Sequence, residues 1–351
     1  MDPLSDVLRV VRLNGAYFYP VEAGAPWSVS TVAARELVPR ILPDAEHLIS
    51  YHILLSGSCW GGLDEKSQVR MQPGDVIVFP QGDAHLMSSD EGHLDRSGRE
   101  GTSAQRYPNT VFLGADDEPR GTRLVCGFLG CDARPFNPLL SGLPRVMVIR
   151  GAAGGWLSQF PNQVVTESRN GRFGSETMLT RMAELMFIEV VRRYVEQLPP
   201  QQSGWLAGLR DSVVGPALSQ FHEQPNHPWT LAELARTIAS SRTVLVQRFS
   251  ELVGVPPMLY LTRWRLQLAA EQLRLGSAKV AAVGVQVGYE SEAAFSRAFK
   301  RETGLSPAAW RRARQGLTIS SNADTFQIAS QDAPRPRKGP SPPDLRRSWN
   351  A

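Results

Sequence analysis

LAELARTIASSRTVLVQRFSELVGVPP (residues 231–257) and VAAVGVQVGYESEAAFSRAFKRETGLSP (residues 280–307) carry one pattern twice, fifty residues apart. Each holds a short apolar helix, a tight turn, a second helix and then Phe-x4-Gly-x-x-Pro. Phe249, Gly254 and Pro257 in the first copy are matched by Phe299, Gly304 and Pro307 in the second. Leu231, Leu234, Ala235 and Ile238 recur at helical spacing along one face, and Leu245, Phe249 and Leu252 line the facing side of the next helix. Ala235 and Gly284 are small enough at the predicted crossings to let paired helices approach closely. The reversals fall at Ala239-Ser240 and Gly288-Tyr289, where glycine tolerates a left-handed backbone. Ser241 and Ser291 read as N-caps of the second helices, and Gly254 and Gly304 as their C-terminal caps. Between the copies, MLYLTRWRLQLAAEQLRLG (258–276) reads as one amphipathic helix. It is roughly 28 Å long at ~1.5 Å per residue, close to the ~34 Å of one DNA turn. Two second helices held by such a strut would enter successive major grooves on one face of a duplex.

Charge points the same way. From Trp205 to Gly316 there are 14 Lys/Arg against 8 Asp/Glu, whereas residues 1–204 carry 19 against 23. A basic C-terminal half on a mildly acidic N-terminal half suggests a polyanion-binding module joined to something else. Arg242, Gln247, Arg248, Arg297, Lys300 and Arg301 face away from the predicted apolar stripes. One copy alone could be an ordinary helical hairpin. Two copies, a rigid connector and a basic outer face point to double-stranded DNA.

In PWTLAELA, RFSELVGVPPMLYLTRWRLQLA and VGYESEAAFSRAFKRETGLSPAAWR the sequence resembles the AraC/XylS family of transcription regulators. The resemblance implies that the second helix of each unit reads the major groove. Carried over by position, the first reader offers Arg242, Thr243, Val246 and Gln247, and the second Glu292, Ala293, Ser296 and Arg297. Arg263, Lys300 and Arg301 would hold phosphates, which set register without reading sequence. Arg297 is the foremost base reader, because a guanidinium pairs bidentately with guanine O6 and N7. Where the family usually has Ile-Ala, this chain has Val283-Gly284; a helical glycine costs ~1 kcal/mol, so a less rigid second unit is expected. Activation is the commoner role in the family, and would bring RNA polymerase as a partner.

Upstream, short apolar runs (YHILLSG, DVIVFP, TRLVCGFLG, RVMVIR) separated by Gly, Pro, Asp and Asn make residues from about 10 to 150 read as β-structure, with a long loop from Ser88 to Thr110. PGDVIVFPQGDAH (73–85) resembles the second motif of the cupin barrel through Gly74, Pro80, Gly82 and His85. The first cupin motif is degraded: Ser50 stands at its usual glutamate position and only His47 and His52 are near. The stretch resembles the cupin-type sensor domain fused to AraC-type DNA-binding domains, which implies a small-molecule effector. Ser50, His52 and Leu54 share one strand face, so His52 is expected beside His85 in an effector pocket with Trp60, and Tyr51 as a further wall. Two readings of the histidines stay open. With Cys126 they form a zinc-like donor set; otherwise they are hydrogen-bonded pocket residues, Cys126 is a small buried hydrophobe, and no cofactor is needed. A cupin metalloenzyme with an accessory DNA-binding domain is the alternative, and loss of the His-x-His-Glu set argues against catalysis.

Residues 175–197 place Met178, Met182, Leu185, Met186, Ile188 and Val191 at helical spacing, and Leu-Pro-Pro at 198–200 stops that helix. Packing against the β-domain is its expected role, and the resemblance adds a homodimer contact. The whole reads as an α+β two-domain protein. Residues 1–150 form a cupin-like β-barrel (jelly roll) sensor, 151–204 a helical linker with the dimerisation helix, and 205–316 an all-α domain of two helix-turn-helix units joined by a long helix. Residues 317–351 are a Pro- and charge-rich tail expected to be disordered. Apolar content of 42% and charged content of 21% are ordinary for a globular chain. Three cysteines do not make a disulfide scaffold. No apolar run approaches the ~20 residues of a membrane span and the start MDPLSDVLRVV lacks a secretory pattern, so no membrane contact and a cytoplasmic location are expected.

Overall fold

Strand β3 (His47–Ser56) is buried on both faces. Ile49, Tyr51 and Ile53 point to one side and Ser50, His52 and Leu54 to the other, which is why the run reads as almost continuously apolar. The computed structural model describes residues 2–11, 13–43, 45–92, 110–114, 121–132, 135–151, 159–170, 172–199 and 202–314. Around β3 it places β1 (Leu13–Ala23), β6 (Val76–Phe79), β8 (Val111–Leu113), β9 (Thr122–Cys131) and β10 (Met147–Ile149) in a six-stranded sheet of order β10-β6-β3-β9-β1-β8. A second sheet, β2-β7-β4-β5, is built from β2 (Ser28–Thr31), β4 (Cys59–Gly62), β5 (Val69–Met71) and β7 (His85–Ser88). Leu54, Ile77, Phe79, Leu124 and Cys126 from the first meet Cys59, Met71 and Met87 from the second in one buried cluster. The architecture is the expected jelly roll, laid out as a sandwich of two sheets.

Helix α1 (Pro3–Val11) precedes the region read as β, and two helices interrupt it, α2 (Ala34–Ile41) and α3 (Pro138–Gly142). In α2, Ala34 and Leu37 are buried and Val38 and Ile41 half-buried, an amphipathic stripe hidden by its shortness and by the internal Pro39. Helices α4 (Phe160–Asn170) and α5 (Ser175–Gln197) follow. The bounds of α5 match the expected 175–197, but its stripe is rotated. Leu179, Ala183, Met186, Phe187, Val190 and Val191 are buried, whereas Met178 and Leu185, expected to pack, are 52% and 56% exposed. A helix laid on a sheet buries one stripe, and two residues seven apart on the opposite side stay in solvent.

The C-terminal region is helical throughout: α6 (Trp205–Gly208), α7 (Val214–Glu223), α8 (Leu231–Thr237), α9 (Arg242–Val253), α10 (Pro257–Leu275), α11 (Val280–Gln286) and α12 (Glu292–Thr303), with residues 307–314 helical after it. The predicted punctuation is in place. Ser241 accepts from the Val244 N–H and Ser291 from the Ala294 N–H. Gly254 and Gly304 end their helices at φ of 81° and 78°. Proline at the start of α10 supplies the preset φ of a first helical turn.

Helix α10 belongs to two cores at once. Tyr260, Leu261 and Trp264 join a cluster that runs from the first helix-turn-helix unit into α5 and the outer face of the six-stranded sheet. Leu266, Ala269, Ala270 and Leu273 join Val283, Phe295, Phe299 and Trp310 in the second unit. Each such large side chain contributes about 1.5–3 kcal/mol by leaving water. Gly284 is a packing residue here: a Cβ at this position would lie 3.1 Å from the Phe295 ring, so α11 and α12 meet closely where glycine permits it. No helix among the described residues is long and apolar enough to cross a membrane. The tail expected at 317–351 and most of the loop expected at 88–110 lie outside the described residues.

Candidate nucleic-acid interface and sensor site

The two second helices, α9 and α12, present their N-terminal turns to solvent. Arg242, Thr243 and Gln247 are exposed and Val246 half-buried; on α12 Glu292, Ala293 and Arg297 are exposed and Ser296 half-buried. The buried counterparts Leu245 and Phe249, and Phe295 and Phe299, fix which way each helix turns. The amide of Gln247 donates to Glu251 Oε1 at 2.9 Å, one turn on. Lys300 and Arg301 are exposed at the C-terminal end of α12. Each unit therefore shows a solvent-facing row that can reach base edges, with cations beside the second row.

Two of the arginines are committed elsewhere. Arg248 pairs at 2.6 Å with Asp211, whose carboxyl is nearly buried and also accepts the Val213 and Val214 N–H groups at the start of α7. Burial raises the Asp211 pKa, but those two N–H donors and Arg248 outweigh it and hold the carboxyl below its ordinary value. Arg263, expected at a phosphate, forms an ion pair at 3.1 Å with Glu302 of α12 and lies over the Phe136 ring at 5.9 Å. It turns inward because α10 runs between the two units, so its flank faces α12 and the sensor domain. Composition and spacing hold no signal for either partner, both being distant in sequence. Arg265 was also missed. Half-buried, it donates to the carbonyls of Pro225 at 2.6 Å and His227 at 2.7 Å, and to that of Gly288, tying the two units together. Gly288 has φ 89°, and a Cβ there would come within 2.9 Å of Asn226.

In the sensor domain the register sets Tyr19, Cys126 and His52 side by side on β1, β9 and β3. His52 and His85 are 4% and 2% exposed, with their Nε2 atoms 2.8 Å apart. His85 Nδ1 bonds the Asp83 carbonyl at 3.0 Å, and Phe79 stacks on the His85 ring. Burial pushes His85 down to about 4, and holds His52 well below the ordinary imidazole value with His85 adding to it. Burial also drives the Cys126 thiol well up. Trp60, expected as a wall, is not with them. It alternates with inward-facing Cys59 on β4 and so points outward, opposite Arg70 and Ser88. Tyr51, on the other face of β3, packs against Phe18 in the cluster shared with the helices.

Zinc does not fit this arrangement. Tetrahedral Zn–N bonds of about 2.0–2.1 Å put two ligand nitrogens roughly 3.4 Å apart, and the two Nε2 atoms are at hydrogen-bond distance instead. No three His, Cys, Asp or Glu among the described residues are grouped to hold a metal. Space for a small molecule lies next door, in a cleft of about 370 Å³ between α2, the start of β3 and the β6–β7 turn. Arg35, His47, Asp83 and Arg145 line it. Arg145 holds Asp83 by two bonds, 3.2 and 2.7 Å, and Asp83 in turn holds His85.

Two family models match successive parts of the chain. A cupin family model (described as "Cupin") matches residues 2–196, and a helix-turn-helix domain model matches residues 234–313. The chain is 32% identical over 325 residues to a putative AraC-like transcription regulator of Streptomyces antibioticus, covering 89% of this chain and 99% of that one. It is 28% identical to the HTH-type transcriptional regulator AlkR of Acinetobacter baylyi (89% and 99% covered). It is 27% identical to the RCS-specific HTH-type transcriptional activator RclR of Escherichia coli (90% and 99% covered).

Proposed function

The chain belongs to the AraC-like, DNA-binding transcription regulators with an N-terminal cupin domain, and from that premise we propose how its parts divide the work. Helices α9 and α12 read two successive major grooves, Arg297 bonding guanine and Lys300 and Arg301 holding phosphates. The observation that carries this reading is the repeated geometry: a serine-capped helix with a buried Phe and an exposed N-terminal row, on either end of one 19-residue strut. Helix α5, with Met178 and Leu185 in solvent, joins two copies into a homodimer. The protein acts by regulating transcription in the cytoplasm, as an activator that contacts RNA polymerase, and carries out no catalysis of its own.

A small-molecule effector enters the cleft beside the β6–β7 turn and is felt at the His52–His85 pair through Asp83. The cleft volume lies within the ~300–1,000 Å³ common for ligand sites, and its polar lining offers orienting groups. The effector must bind two conformations unequally to shift an equilibrium.

Selection of random duplexes by the full chain tests the DNA reading. The expected product is a bipartite site whose two informative segments lie about one helical turn apart. Enrichment of no sequence, or of a single short segment, would contradict it. For the sensor, Arg145→Ala and His85→Ala should keep DNA binding but lose the transcriptional response to the inducing condition. A normal response in both variants would move the effector elsewhere.

A further inference from the structure

We propose that Arg263 is a positioning residue, through which the sensor domain sets the orientation of the second reading helix; this rests on α12 being a DNA reader. The segment between β9 and α3 carries Phe136 onto α10, and three contacts fasten it there. The Phe136 ring meets Tyr260 edge-on at 5.6 Å, the Arg263 guanidinium lies above that ring at 5.9 Å, and the Phe136 N–H donates to Gln267 Oε1 at 3.0 Å. Residues 260, 263 and 267 fall on one face of α10. Gln267 is 3% exposed, a buried amide whose oxygen accepts from the sensor domain.

The same guanidinium reaches the other way, to Glu302 near the end of α12. Arg263 thus touches the sensor domain and a reading helix at once, and α10 is the strut that spaces the two readers. A planar, delocalised cation suits this place because it can stack on an aromatic ring while its edge meets a carboxylate. A second tie runs in parallel, from Glu46 at the rim of the sensor cleft to Arg314, close to Trp310 in the second unit's core. The first unit needs no such device, since α7 and α9 already share a core with the sensor domain. The second unit has a core of its own, joined to the rest through α10 and through polar ties that can be changed singly.

Phosphate binding and positioning predict different behaviour. A duplex selected by the wild-type full chain is mutated either in the segment read by α9 or in that read by α12, and affinities are measured over a range of salt for wild type, Arg263→Ala, Arg263→Lys, Glu302→Gln and Phe136→Leu. Positioning predicts that all four variants lose at least about fivefold of the discrimination in the α12 segment. It also predicts that they keep discrimination in the α9 segment and leave the salt slope unchanged. Phe136→Leu and Glu302→Gln are mild changes at half-buried positions, so the result does not depend on the alanine variant folding. If Arg263→Ala instead lowers the salt slope by about one phosphate contact, Arg263→Lys restores it, and Phe136→Leu is silent, Arg263 is a phosphate ligand and the assignment is overturned. Unchanged discrimination in every variant overturns it too. A wild-type chain that selects no duplex removes the DNA reading itself, and this assignment with it.

Discussion

The Nε2 atoms of His52 on β3 and His85 on β7 lie 2.8 Å apart across the gap between the two sheets, so one imidazole donates its N–H to the bare nitrogen of the other. Such a bond requires that the accepting ring stay neutral.

Acid should therefore unfold the protein early. Burial depresses His85 to about 4, holds His52 well below its ordinary value, and takes His222, on α7, to about 3. A histidine depressed in the folded state binds its proton in the unfolded chain, near pH ~6.5, but not in the folded one. Its stabilisation is complete above that value and is lost as pH falls below it, by up to about 1.4 kcal/mol per pH unit for each ring. The urea midpoint should drop markedly between about pH 7.5 and about pH 5.5, and His85→Gln should flatten the dependence. A midpoint that holds steady over that interval would show that the rings are solvated.

Arg297→Ala should cost roughly 1–3 kcal/mol on the selected site and relax preference at one base position. Lys300→Ala should weaken all sequences about equally and lower the salt slope by about one. Competition binding against random duplex separates the two. Equal losses on specific and random DNA for Arg297→Ala would take it out of the reading role.

Leu185→Glu and Met178→Glu place a charge on solvent-facing positions of α5. Folded stability should change by no more than about 0.5 kcal/mol, as for ordinary surface sites. Sedimentation should show the homodimer weakened at least about tenfold, from the cost of desolvating a carboxylate in an apolar contact. Unaltered dimerisation in the double variant would place the dimer surface off α5.

Ala239 sits in the turn of the first unit at φ 54°, where the second unit has Gly288. A left-handed alanine costs about 1–2 kcal/mol, partly offset by the entropy that glycine adds to the unfolded chain. Ala239→Gly should raise stability by about 0.5–1 kcal/mol. Thermal melts of the full chain check this, and a lowered midpoint would mean that the turn is not strained.

Asp211→Ala should destabilise by about 1–3 kcal/mol, because it leaves two N–H groups at the start of α7 without their acceptor and Arg248 without its partner. Loss of DNA discrimination in the α9 segment is expected to accompany it. A stable variant with normal discrimination would show that Arg248 needs no anchor.

What the sequence determined by itself is local and periodic. Helical spacing, capping serines and terminal glycines are set by residues within one or two turns, so both helix-turn-helix units, the strut and the span of α5 were legible to within a residue or so. Period two put Ser50, His52 and Leu54 on one face of β3, and the resemblance to the second cupin motif set His85 against that face, where the structure has it. Tertiary structure decided whatever depends on partners far along the chain. The side on which Trp60 emerges depends on which residue of β4 the opposite sheet buries. Arg263 looks like any exposed basic residue until α10 is set between Glu302 and Phe136, 39 residues ahead of one and 127 behind the other. The stripe that α5 buries is chosen by the sheet beneath it, since apolar residues occur around most of that helix and burial area decides among them. Local energies write the elements; the docking of one element on another assigns each charged or apolar side chain its surroundings, and with them its role.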